Sequence, residues 1–98
     1  MRFDWDPAKS ARNYRQRGFD FGAAAQIFAG FTLERADTRR DYGEPRVVAI
    51  GRVATVALTV VYTDRRDRTG AVIRRIISAR RSNRHERQRY EKAQSFHA

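Results

Sequence analysis

Val72-Ile73-Arg74-Arg75-Ile76-Ile77-Ser78-Ala79-Arg80-Arg81 is the stretch on which the fold of this chain turns. Its β-branched residues favour extended backbone, yet its arginines sit where a buried strand carries apolar side chains. With a strict two-residue period, Arg74, Ser78 and Arg80 share one face while Arg75 and Arg81 share the other. An arginine in mid-strand costs free energy unless its head reaches water or an anion, so one of these sets has to face an open side. That side is either a phosphate-facing surface or a set of ion pairs with acids such as Asp41 or Glu44.

Working outward, residues 46–53 and 54–63 are equally rich in valine, isoleucine and threonine. Gly51-Arg52 and residues 64–70 separate them from each other and from 71–79, which predicts a meander of hairpin-linked antiparallel strands. Residues 31–36 and 1–5 alternate apolar and polar side chains and predict two more strands. Between those two lie helix signals. Asp6-Pro7 starts a helix that runs to Arg17 with Gly18 as its cap, and Asp20 starts a second that ends by Gly30. From Ser82 the chain turns polar and helix-prone, with Tyr90, Ala93 and Phe96 or His97 as its packing stripe. The expectation is an α+β fold in a single domain over residues 1–98: an antiparallel sheet of about five strands, two N-terminal helices on one face, a C-terminal helix, and the other face open.

The composition narrows the function. The 98 residues carry 21 Lys or Arg against 11 Asp or Glu, a net charge of +10. Residues 1–63 hold 10 cations and 7 anions, whereas residues 64–98 hold 11 and 4, so most of the field lies in the last third. Nineteen of the cations are arginine, whose planar fork pairs phosphate oxygens and stacks on bases, and the expected partner is a polyanion. No cysteine is present, which excludes disulfides and thiolate metal sites. Residues 1–6 do not read as a secretory signal, and the longest apolar stretch, 53–62, is about half a membrane span; a cytoplasmic protein with no membrane contact is expected.

Catalytic signatures are few. His85-Glu86 begins like a zinc-protease helix, but Arg89 stands where the second histidine is required, so no metal or other cofactor is expected. No phosphate-binding glycine loop or nucleophile elbow occurs. The candidates that remain are the strand arginines, Arg46 and Arg65 at strand ends, Glu44, Tyr90 and His85. Tyr90 reads equally well as a core anchor, and His85 as plain surface.

The blocks Trp5-Asp6-Pro7-Ala8-Lys9, Asn13, Gly18-Phe19-Asp20-Phe21, Asp41-Tyr42-Gly43-Glu44-Pro45-Arg46, Val61-Tyr62-Thr63-Asp64-Arg65, Arg75-Ile76-Ile77-Ser78-Ala79-Arg80 and Glu86-Arg87 with Tyr90 together resemble the BrnT toxin family over about residues 3–91. The resemblance implies a RelE-like fold and the ribonuclease half of a type II toxin-antitoxin pair. It also implies neutralisation by a BrnA-type antitoxin, with operator DNA bound only through the complex. Gln16-Arg17-Gly18 departs from the family's common Lys-His-Gly, so no role of that histidine carries over. Metal-free RNA cleavage needs a proton acceptor, a proton donor and cations on the developing charge. The expected catalytic set is Arg65, Arg75 and Arg80 on the scissile phosphate, with Tyr90 or His85 moving protons. Arg46, Arg74, Arg81 and Glu44 complete the RNA-binding set, Glu44 being a second base candidate. The competing readings are a basic module that holds RNA or DNA without cutting it, and an inactive toxin kept as the antitoxin's partner.

Overall fold

A computed structural model describes residues 1–97, with side chains through Phe96. The chain runs β1 (Arg2–Trp5), α1 (Pro7–Arg17), α2 (Phe21–Ala24) continued by a 3-10 turn (Ala25–Ala29), β2 (Leu33–Ala36), β3 (Val47–Val53), β4 (Val56–Arg66), β5 (Val72–Arg81) and α3 (Arg84–His97).

Local chemistry sets the helix ends. The Asp6 carboxylate accepts from the Ala8 amide at 2.9 Å, Pro7 opens α1, and Gly18 closes it at φ 85°, donating its N–H to the Tyr14 carbonyl. Asp20 accepts from the Ala23 amide at 2.8 Å and starts α2. These bounds are the ones the sequence predicts, because each cap acts within a few residues of itself.

The five strands form one sheet in the order β1-β5-β4-β3-β2. It is mixed, which corrects the antiparallel expectation: β1 runs parallel to β5, with Arg2 opposite Ile73 and Trp5 opposite Ile76. The helices between β1 and β2 carry the chain off the sheet, and alternation within a four-residue strand does not encode its direction. The β3–β4 turn also differs from expectation. It lies at Ala54-Thr55, with Val53 opposite Val56, and Gly51 is inside the strand. Gly51 is there for close approach: a Cβ at this position would lie 2.7 Å from Ile27 Cβ.

One sheet face packs under α2 and the 3-10 turn. Phe21, Ala24 and Ile27 meet Ala49, Leu58, Val60, Tyr62, Ile76 and Ala79, with Phe3, Trp5 and Phe28 at the border. Each large aliphatic side chain enclosed here contributes about 1.5–3 kcal/mol by burial. The opposite face is not fully open, which is a second correction. α3 lies over β3, where Tyr90 is buried and its hydroxyl donates to the Phe31 carbonyl at 2.8 Å. Ala93 is half-buried on the same stripe, Phe96 is exposed, and the His97 side chain lies outside the described residues. Among the described residues no helix is long and apolar enough to cross a membrane.

Substituting Gly51→Ala forces backbone or Ile27 to shift, and overpacking of this kind costs about 1–3 kcal/mol. Urea unfolding of the variant is expected to show a midpoint lowered accordingly with an unchanged slope.

Candidate active site

The arginines of β5 are sorted by a single bulge. Tyr62 stands opposite Ile76 and Val61 opposite Ser78, so Ile77 is an extra residue in β5. Beyond it the alternation flips. Ile76 and Ala79 both reach the helix-covered core, and Arg74 and Arg81 go with them, opposite Asp64 and Leu58. Arg75, Ser78 and Arg80 share the other face, opposite Thr63, Val61 and Thr59. The strict two-residue grouping is thereby corrected, and Arg74 and Arg81 do not join the other candidates.

On that second face Arg75 of β5, Arg65 of β4, Arg46 before β3 and Lys9 of α1 converge with Glu44 and Asp6 on a cavity of about 140 Å³. The loop between β2 and β3 presents Glu44 and Arg46. Buried Asp37 accepts a two-pronged pair from Arg39, at 2.9 and 2.8 Å, and a bond from the Tyr42 hydroxyl. The Arg46 guanidinium lies 4.1 Å from the centre of the Tyr42 ring, a cation–π contact that fixes its plane. Gly43 turns the chain at φ 74° so that Glu44 points back to the arginines.

Every cavity arginine already holds a carboxylate. Arg65 Nη2 is 2.9 Å and Arg46 Nη2 3.5 Å from Glu44, and Arg75 Nη1 is 3.2 Å from Asp4. Arg65 foremost, then the Arg46 charge, holds the Glu44 carboxyl below its ordinary range against the opposing effect of burial. These pairs are nevertheless solvent-reachable: the Arg65 and Asp4 side chains are 52% and 51% exposed. Pairs with an exposed partner are worth about 0–1 kcal/mol, and the Arg46–Glu44 contact, though more enclosed, is long at 3.5 Å, so a phosphate offering several charge-assisted bonds can displace them. Arg46 Nε is buried and without a hydrogen-bond partner.

Arg80 is of another kind. Its two terminal nitrogens meet Glu86 at 2.7 and 2.8 Å, and the Glu86 side chain is only 7% exposed. Glu86 also accepts from the Asn83 amide, while the Asn83 side chain accepts from the Glu86 amide, a reciprocal cap that starts α3. The carboxylate is enclosed while the Arg80 side chain is 46% exposed, and the two-pronged pair ties the end of β5 to the first turn of α3. Arg74 is likewise enclosed. It lies 4.0 and 4.8 Å from the Tyr62 and Phe28 ring centres and is paired twice with Asp64. His85 is exposed in the first turn of α3, and Tyr90 is committed to Phe31. A larger cavity, about 510 Å³, opens beside Arg74, Phe3 and Phe28; its walls are mainly apolar and its guanidinium is taken by Asp64, so it offers a phosphate less.

Lys9 and Asp6, read in the sequence as part of a family-like block and as a helix cap, are not among the predicted site residues. Asp6 caps α1 and Lys9 lies in its first turn, but only the parallel docking of β1 brings them to Arg75. The Asn83-x-x-Glu86 cap is a local signal that reads directly once sought. Among the described residues no three His, Cys, Asp or Glu side chains gather as a metal site would require.

Four cations, Lys9, Arg46, Arg65 and Arg75, and two carboxylates, Asp6 and Glu44, thus line one cavity on this sheet face. Residues 5–86 match the family described as ribonuclease toxin, BrnT, of type II toxin-antitoxin systems, and the chain belongs to that family. Membership implies a ribonuclease toxin with a cognate antitoxin. No curated protein sequence matches the chain.

The Arg80 guanidinium, before all other causes, holds the Glu86 carboxyl down to about 2 from its ordinary 4.5. The unfolded chain therefore takes up this proton first as pH falls. The pair's stabilisation is complete above about pH 4.5 and is lost as pH drops toward 2. Urea midpoints measured from pH 6 to pH 2.5 are expected to fall less steeply for Glu86→Gln than for the native chain, from a lower starting value.

Proposed function

We propose that this chain is an endoribonuclease that cuts RNA without a metal, at the cavity of Lys9, Arg46, Arg65 and Arg75. The observation that carries this reading is the convergence of these cations on Glu44. Incoming phosphate takes over Arg65 and Arg46, and Glu44 loses the partners that keep it a weak base. Its affinity for a proton then rises as the substrate binds. Glu44 accepts the proton of the ribose 2′-hydroxyl, and the 2′-oxygen attacks the adjacent phosphorus. The guanidinium groups stabilise the charge gathered on the phosphoryl oxygens. Lys9, the ammonium group in the cavity, gives a proton to the departing 5′-oxygen. The products are a 2′,3′-cyclic phosphate and a 5′-hydroxyl end.

Arg80 serves this reading by fixing α3 at the far end of the same face, and Ser78 lies exposed between Arg75 and Arg80. Tyr90 acts through packing, and His85 lies outside the cavity. In the cell the reaction inhibits translation and growth, and a BrnA-type antitoxin neutralises it by covering the arginine face. Operator DNA is then contacted by the complex, not by this chain alone. The carboxylate pairs of Arg46, Arg65 and Arg75 favour a second reading, a module that holds RNA without cutting it.

Purified protein incubated with labelled RNA in EDTA separates the two. The nuclease gives cyclic-phosphate ends, and Arg75→Ala or Glu44→Gln lowers the rate about 100- to 1,000-fold, the usual cost of removing one charge-stabilising or proton-transfer group. RNA bound but intact after long incubation establishes the binder instead.

A further inference from the structure

We propose that an unpaired nucleobase of the RNA stacks in a second cavity on the far flank of α1, reached by a strand that crosses the helix from the phosphate site. The proposal rests on the ribonuclease reading and says where the substrate goes next.

α1 carries Lys9, Arg12, Arg15 and Arg17 and no acidic residue. Lys9 lines the phosphate cavity on one flank. On the other flank a cavity of about 480 Å³ lies between Trp5, Tyr14, Arg15 and Asp20. Tyr14 is 61% exposed there, a large ring left in water beside a half-buried indole. Arg12 and Arg15 enter no ion pair among the described residues, unlike Arg65, Arg74, Arg75 and Arg80 of the sheet. At 100° per residue, Lys9, Arg12 and Arg15 step round the solvent side of α1, and Tyr14 lies beyond them. The path covers about half the circumference of a helix roughly 10 Å across, the reach of a few nucleotides.

Cations that track a backbone and end at an aromatic face are the elements by which proteins hold single strands, since every base offers a π-face and stacking is tolerant of sequence. Asp20 is occupied as the cap of α2, accepting from Ala23. Arg15 beside Tyr14 can cover the opposite side of an inserted base. The occupant is therefore a nucleobase of a flexible, unpaired strand, a few nucleotides from the bond that is cut.

The test measures binding of a short 2′-O-methyl RNA, which lacks the attacking hydroxyl, by fluorescence anisotropy. Cleavage of ordinary RNA is followed in parallel, and circular dichroism verifies the fold. Tyr14→Ala is expected to weaken binding about tenfold, the equivalent of one stacked base, with an unchanged salt slope; Tyr14→Phe retains native affinity. Arg12→Gln with Arg15→Gln is expected to flatten the slope of log affinity against log salt by about 1.4, at about 0.7 per phosphate contact. An RNA with one abasic position should lose as much affinity as Tyr14→Ala and gain no further loss when combined with it. If Tyr14→Ala binds like the native chain while both cut RNA, the α1 path is overturned and the nuclease stands. If the native chain neither binds nor cuts RNA, the nuclease reading fails and this inference fails with it. Loss of affinity for the cognate antitoxin, with RNA affinity intact, makes the surface a protein-docking site and overturns the proposal.

Discussion

The bulge at Ile77 is the constraint on which the rest of the molecule depends. A regular β5 would have to put either Ile76 or Ala79 on the wrong side of the sheet. The extra residue lets both enter the core beside Tyr62 and Val60. It also leaves Arg75, Ser78 and Arg80 on the face away from α2. One local irregularity thus completes the hydrophobic layer and aligns the arginines that build the candidate site.

The arginines on this framework do different physical jobs, and bonding geometry separates them. Arg80 and Arg74 each hold one carboxylate through two short bonds, at 2.7–2.9 Å. They tie α3 and the helix-covered face to the sheet. Arg46, Arg65 and Arg75 hold carboxylates through single contacts of 2.9–3.5 Å. Ion pairing alone therefore does not make a guanidinium unavailable. The number and length of the bonds already made decide whether a phosphate can compete.

The parts of this fold legible in the sequence are those governed by neighbours in the chain. Asp6-Pro7 and Gly18 bound α1 because capping acts over one turn, and the valine and isoleucine runs announce β3, β4 and β5. Gly51 misleads because a strand glycine that admits Ile27 looks the same in sequence as a turn glycine. The parallel pairing of β1 and the bulge at Ile77 depend on which strand lies alongside, which periodicity does not specify. For the site, Arg46, Arg65, Arg75 and Glu44 are readable as charges at strand ends and in the loop, and they do converge. Arg74 and Arg81 are placed on the opposite face by the bulge, and Lys9 enters only through tertiary docking.

β1 gives the domain an uneven mechanical character. It is a four-residue edge strand held to β5 and tied by the exposed pairs Arg2–Asp67 and Asp4–Arg75. Edge segments with few buried contacts open at a smaller free-energy cost than the central strands. Opening of β1 would remove the Asp4 counter-ion from Arg75. The site is thus assembled across the junction between the meander and its parallel edge strand, and amide exchange in β1 should outpace that of β4.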